Sequence, residues 1–430
     1  MTFESRHAIL PAKNVRGSVR LPGDKSISHR YAMLGAIAEG TTRLDNFSSA
    51  ADCASTLACV EALGARVTRD GRKIEIAGRS GELVAPNRPL DCGNSGSTMR
   101  MLSGIVAGYD FRSEMTGDDS LSKRPMRRII DPLSKMGASI SASNEDRPPL
   151  VIQGKKLNAI TYEMPVASAQ VKSCVLLAGL RAKGRTTVTE KIATRDHTEL
   201  ALRAFGARVE QNSGSVSIEG GQNLQAIEAY VPGDLSTATF FLCATAMFPE
   251  SSLIFDHVLL NPTRAGVLDV LATMGLKVAF LKVEELHGET IGTVQVKSGN
   301  LTGAVISGAL AAALIDELPA LAALAPYTRD GMEIRDAKEL RVKESDRIAA
   351  VSENLRRMGI KFEEREDGWK IPGQQQPHGA ELDSFGDHRI AMAFSIAALR
   401  AQGESQILNS DAVAVSFPEF FSTLESVIER

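Results

Sequence analysis

The apolar and polar positions of this chain repeat in a long cycle. Each cycle opens with a helix of small and apolar residues and continues through a glycine into a β-rich run. An amphipathic helix follows, ending in Leu-x-x-apolar-Gly, and then a pair of alternating, strand-like runs. The first cycle reads PGDKSISHRYAMLGAIAEGTTRL and then STLACVEALGARVTRDGRKIEI. Later cycles open at GNSGSTMRML, VASAQVKSCV, PGDLSTATFF, DELPALAALA and GDHRIAMAFS, which makes six. Gly64, Gly137, Gly206, Gly275 and Gly359 close the amphipathic helices, as a left-handed helix-ending glycine should. A spacing of about 70 residues fits a compact βαβαββ unit rather than a short solenoid repeat.

The repeats predict an α/β protein of two domains with three repeats each, because repeats one and four open alike, with LPGDKS and VPGDLS. The sixth repeat stops early, and the strand-like stretch 6–20 is left over to complete it. One domain is therefore expected from 1–20 plus 232–430 and the other from 21–231, with a hinge at the two PGD turns.

A chain of 430 residues is too long for one ordinary core. A net charge of −3 and 5% aromatics argue against a general nucleic-acid binder or a base-stacking platform. No apolar run reaches membrane-spanning length, and MTFESRHAILPAK has no signal-peptide core, so a cytoplasmic location is expected. Cys53, Cys59, Cys92, Cys174 and Cys243 include no C-x-x-C pair and read as buried small apolar residues. The seven histidines show no ligand spacing, so no metal site is expected.

Any basic site must then be local. LPGDKSISHRYAM predicts a turn at Pro22-Gly23-Asp24 and a helix over 26–38, with Lys25, Ser26 and Arg30 in its first turns. Free N–H groups at a helix start, plus two cations, make an anion site; the plainer alternative is a capped, solvated helix start. Similar residues recur at equivalent places: Asn94, Gly96, Ser97, Arg100 and Arg124; Ser168, Gln170, Lys172 and Arg195; Asp316 and Glu317; Lys343, Glu344 and Arg347; Asp387, His388 and Arg389. In RVKESDR, Lys343 and Arg347 fall at i, i+4, which reads either as a solvated helix start or as a packed charged site. Asp316 reads as the cap of the helix ELPALAALA, as a catalytic carboxylate, or both. Asp316 and Glu344 among lysines and arginines offer an acid and a base. No Gly-x-Ser-x-Gly elbow or Cys–His pair marks a covalent nucleophile.

LPGDKSISHR, GNSGSTMR, SKRPM, PVASAQVKS, TRDHTE, IDELP, RVKESDR and DHRIAM with a following SFPEF, in this order, resemble the enolpyruvyl transferase family over nearly the whole chain. Within that family they are similar to the branch whose acceptor is shikimate 3-phosphate. The resemblance implies a two-domain inside-out α/β barrel with three βαβαββ repeats per domain. It implies transfer of the enolpyruvyl group of phosphoenolpyruvate (PEP) to the 5-hydroxyl of shikimate 3-phosphate, with release of phosphate and no cofactor or metal. A monomer is expected, binding neither nucleic acid nor membrane.

Carried onto this chain, the resemblance makes Asp316, Glu344 and Lys25 catalytic. It assigns Lys25, Ser26, Arg30, Ser168, Ala169, Gln170, Arg195, Asp316 and Lys343 to shikimate 3-phosphate. It assigns Lys25, Asn94, Gly96, Arg124, Gln170, Arg347, His388 and Arg389 to PEP. Three positions depart from the common pattern: Ala169, Glu339 and Val415. Arg195 is expected to bind the shikimate phosphate in their place. Gly96 leaves room for the inhibitor glyphosate. Two other readings remain: the sister transferase acting on UDP-N-acetylglucosamine, favoured less by DKSISHR and RVKESDR, and a non-catalytic polyanion-binding repeat protein.

Overall fold

The computed structural model describes residues 5–143 and 146–430. It is a mixed α/β structure whose chain divides into two compact units: residues 1–22, 232–284 and 290–430, here the split unit, and residues 23–231 and 285–289, the inserted unit.

The inserted unit contains three four-stranded sheets of one pattern. Glu228–Tyr230, Thr41–Asp45, Lys73–Ala77 and Arg66–Asp70 pair in that order, the first pair parallel and the other two antiparallel. Leu90–Asp91, Arg112–Thr116, Arg147–Gln153 and Ser139–Ser143 repeat the arrangement. Thr161–Glu163, Arg185–Thr189, Ser215–Glu219 and Val209–Asn212 repeat it again. Each antiparallel hairpin is a local pairing; Leu90–Asp91 and Thr161–Glu163 reach their parallel partners across one helix, while Glu228–Tyr230 comes from the far end of the unit.

In the split unit, Ala304–Ile306, Met332–Ile334, Gly368–Ile371 and Glu363–Arg365 follow the same order. The left-over N-terminal stretch enters two sheets. Arg6–Ile9 pairs with Ser405–Leu408, while Asn14–Val19 lies between Ser252–Leu259 and Ile428–Glu429.

Two kinds of helix serve two roles. Lys25–Ile37, Gly96–Val106, Ala169–Gly179, Leu235–Met247 and His388–Ala398 are almost wholly buried; every residue of Leu235–Met247 is. Their small residues allow close approach within the layer. Arg127–Met136 and Arg347–Arg357 keep one apolar face inward and a charged face outward, as amphipathic helices do. The five helix-ending glycines all have φ between +74° and +109°, where a side chain would be strained. Gly23 is required for a different reason: a Cβ there would sit 1.9 Å from the carbonyl oxygen of Asn46.

Three local expectations are corrected. The first helix begins at Lys25, because Asp24 caps it by accepting the Ile27 N–H. RVKESDR is not one helix start. A short 3₁₀ segment, Lys338–Val342, takes in its first two residues, Lys343 is extended, and the helix begins only at Arg347 with Asp346 as cap. Lys343 and Arg347 are therefore not one helical turn apart. Asp316 does not cap the next helix; Glu317 holds that position, without a side-chain cap bond.

Candidate functional site

In the inserted unit the helix starts carry the predicted residues. Asp24, Ser95 and Ser168 each cap a helix through a side-chain oxygen, at Lys25, Gly96 and Ala169 respectively. The side chain that ends each loop thus serves the helix.

Around Gly96 the cations cluster. A Cβ at Gly96 would meet Arg100 Nη1 at 3.0 Å and Arg124 Nη1 at 3.4 Å, so both guanidinium groups lie over that glycine. Arg124 donates to Asn94 Oδ1 at 2.8 Å and Ser120 Oγ at 3.1 Å, and Asn94 in turn donates to Asp118 at 2.7 Å. Arg100 donates to Gln170 Oε1 at 2.7 Å, and Gln170 donates to Ser97 Oγ at 2.9 Å. Two hydrogen-bonded groups, one holding Asn94 and Arg124 and the other Arg100 and Gln170, therefore meet over Gly96. Two arginines beside a helix N-terminus favour a multiply charged oxyanion.

Lys25 is paired with Asp52 at 2.9 Å and retains partial exposure. Arg30 is buried, and its guanidinium donates to Thr198 Oγ1 (2.6 Å), the Ser26 carbonyl (2.8 Å) and Ser173 Oγ (2.8 Å). Burial pulls its pKa down to about 10, with Glu199 and Asp24 opposing and the charge of Arg195 adding to the fall. Arg195 is thus near enough to be felt at Arg30. Arg100 and Asp52 carry no assigned role in the sequence reading. Arg100 stands inside GNSGSTMR and was within reach of that reading; Asp52 is 27 positions from its partner, and no local pattern marks it.

In the split unit a second set gathers around Arg347. This guanidinium is almost wholly buried. Nε donates to Asp387 Oδ2 at 2.8 Å, Nη2 to Glu344 Oε2 at 2.5 Å, and Nη1 lies 3.6 Å from Asp316 Oδ1 without a hydrogen bond. Lys343 Nζ is 3.9 Å from the same Asp316 oxygen, and Arg389 Nη1 donates to the Asp316 carbonyl at 2.7 Å. Burial pulls the Lys343 pKa below its usual 10.5, Asp316 holding it up and Arg347 pushing it further down. Burial also opposes the charge of Arg347, but Asp387, Glu344 and Asp316 outweigh it and raise that pKa.

Asp316, Lys343, Glu344, Arg347 and Arg389 therefore form one cluster with Asp387 at its base. His388 is buried in the first turn of its helix, with Nδ1 4.0 Å from Asp387 Oδ1. Glu317 turns away to a second buried group: Ser236 donates to it, and Arg264 lies 3.7 Å from it. The arrangement supplies two carboxylates and several fixed cations, the combination needed for proton transfers on a phosphorylated, carboxylated substrate.

Comparisons with known proteins match nearly the whole chain. A solved structure of EPSP synthase from Acinetobacter baumannii matches with a TM-score of 0.88 and 41% identity, each chain covering 98% of the other. This is the fold of an α/β transferase. The family model for EPSP synthase (3-phosphoshikimate 1-carboxyvinyltransferase) matches residues 9–424. The protein of that name from Koribacter versatilis is 60% identical over 423 residues, 98% of this chain and 99% of the relative. The one from Bacillus cytotoxicus is 46% identical over 417 residues, 96% and 98% of the two chains. The chain belongs to the EPSP synthase family.

Proposed function

We propose that this chain transfers the enolpyruvyl group of PEP to the 5-hydroxyl of shikimate 3-phosphate, in the shikimate pathway towards aromatic amino acids. The observation that carries this reading is the placement of Asp316 and Glu344 about one buried arginine, with Lys343 and Arg389 beside them. The family membership of the whole chain supports it.

In this reading Glu344 protonates C3 of PEP, which builds positive character at C2. The 5-hydroxyl oxygen attacks C2 while its proton passes to Asp316. The tetrahedral adduct then loses phosphate by C–O cleavage and returns a proton from C3, giving the enol ether and inorganic phosphate. Each step moves a proton to or from a positioned carboxylate. Arg347, with its unused Nη1, and Arg389 clamp the PEP carboxylate, while Lys343 and Asp316 face shikimate 3-phosphate. Lys25, Asn94, Gly96, Arg124 and Gln170 take the PEP phosphate end; His388 orients its neighbour Arg389. Lys25, Ser26, Arg30, Ser168, Ala169, Gln170 and Arg195 hold shikimate 3-phosphate.

The finer architecture is proposed with it: two barrel-like domains of three βαβαββ repeats, bounded near residues 21 and 231. The recurring sheet order supports this. The finer circumstances belong to the proposal too, a monomer working in the cytoplasm apart from nucleic acid and membrane; the net charge of −3 and the lack of a helix long and apolar enough to cross a membrane among the described residues fit them.

Phosphate release by the purified chain tests the reading. Release with PEP plus shikimate 3-phosphate supports it. Release only with PEP plus UDP-N-acetylglucosamine moves the acceptor to a nucleotide sugar, and no release with either refutes an enolpyruvyl transferase.

A further inference from the structure

Beneath the loop that carries Arg195 lies a buried charged network that the reaction does not use. Lys172 lies on the helix Ala169–Gly179, which begins with the Ala169-Gln170 pair, and is 1% exposed. Its ammonium meets Glu199 Oε1 at 2.7 Å and Glu190 Oε1 at 3.1 Å, and donates to the Thr194 carbonyl at 3.4 Å. The second oxygen of Glu190 accepts from the Thr194 N–H at 3.1 Å and the Thr194 hydroxyl at 2.7 Å. Glu199 stands in the helix His197–Ala204, which follows the loop. One lysine thus ties both ends of the loop, the helix after it and the helix holding Gln170.

Glu199 alone gives Lys172 a carboxylate partner at 2.7 Å, so that pair does not depend on Glu190. What Glu190 does alone is accept from both donors of Thr194, the residue before Arg195. Residues 191–193 of this loop are exposed, while Thr194, Arg195 and Asp196 are half-buried. The anchor therefore falls where the loop turns inward, next to its arginine.

We propose that Lys172 and Glu190 are positioning residues for shikimate 3-phosphate: they hold the 190–196 loop so that Arg195 is set to receive the acceptor's phosphate. The proposal rests on the assignment of Arg195 to that phosphate. A loop arginine free to sample several rotamers loses side-chain entropy on binding, and a preset one loses less.

Glu190→Gln isolates the effect. The carboxylate serves Lys172 with one oxygen and Thr194 with the other; an amide has a single acceptor oxygen and cannot serve both. The Lys172–Glu199 pair stays intact, so the fold is not left with an unpaired buried charge. The expected result is a rise of about tenfold in KM for shikimate 3-phosphate. KM for PEP, kcat and the melting temperature should stay near their starting values. In an Arg195→Ala background the same substitution should add nothing further, because the group it positions is gone.

If Arg195→Ala leaves the shikimate 3-phosphate KM unchanged, the assignment of Arg195 fails. If Arg195→Ala raises it but Glu190→Gln does not, or raises it equally in both backgrounds, the positioning role is refuted. Lys172→Met, which removes the centre of the network, is the second variant. Its loss must also fall on the acceptor KM in whatever fraction of the protein folds; a loss confined to kcat or PEP contradicts the proposal.

Discussion

At the scale of single residues, the cluster around Arg347 is set by charge in a confined space. Lys343 sits where burial lowers its pKa from the usual 10.5, and it must be protonated to face an anionic substrate. The alkaline limb of kcat/KM should therefore fall below the ordinary lysine range. Lys343→Arg keeps the charge to higher pH and should move that limb upward; identical limbs in a pH–rate profile would remove Lys343 from the account. The motif residues were legible in the sequence because each lies in a short tract: Lys25 after PGD, Gly96 in GNSG, Glu344 in RVKE. Their pairings were not. Asp52 carried no signal, and Asp387, though legible beside His388, gave no sign of its bond to Arg347; only folding brings each pair within 3 Å. Nor does spacing alone show that Arg347 is buried while Val342, an apolar neighbour, is half exposed.

At the scale of elements, caps decide where chemistry sits. Asp387 does two jobs: it caps the helix His388–Ala398 and carries the ion pair with Arg347. Burial pushes its pKa up, but Arg347 at 2.8 Å outweighs this and holds the carboxyl below its usual 3.8. A folded pKa below the unfolded one stabilises the protein above the unfolded value, and that stability is lost as pH falls through the folded value. Asp387→Asn should keep the cap but leave Arg347 short of a charge partner. We expect a loss of about 3–5 kcal/mol in urea unfolding at neutral pH, shrinking as the pH falls below about 4. An equal deficit at every pH would contradict the pairing. C-terminal helix ends were legible from their glycines, since a left-handed glycine is a local signal; the starts were less so, with Asp24 missed as a cap and Asp316 taken for Glu317. The break before Arg347 was not, because the charge pattern of RVKESDR fits a continuous helix equally well and tertiary pairing decides the matter.

At the scale of the whole molecule, the repeat of hydrophobic pattern forecast the number of core helices better than it forecast the sheets. Helix period and helix-ending glycines survive divergence. The partners of short strands such as Leu90–Asp91 and Glu228–Tyr230 are remote, and no periodicity within two or three residues identifies them. The placement of the N-terminal stretch was partly legible: Arg6–Ile9 pairs with Ser405–Leu408 of the last repeat, but Asn14–Val19 joins the sheet of Ser252–Leu259. The chain's one tryptophan, Trp369, is fully buried in the split unit, where its indole donates to Ser352 Oγ at 3.1 Å. Tryptophan fluorescence should therefore report the split unit alone. In a denaturant titration it should track that unit's transition while circular dichroism tracks both units; an emission maximum already fully red-shifted in the native protein would contradict the burial.

The central claim is that Asp316 and Glu344 divide the proton transfers of enolpyruvyl transfer. Its most direct measurement is kcat for phosphate release from PEP plus shikimate 3-phosphate, compared for the wild type, Asp316→Asn and Glu344→Gln. Both variants keep side-chain volume and remove one ionisable group. The account predicts that each lowers kcat by about 10²–10⁴-fold with the fold intact. A variant that keeps wild-type kcat, in either position, would contradict it.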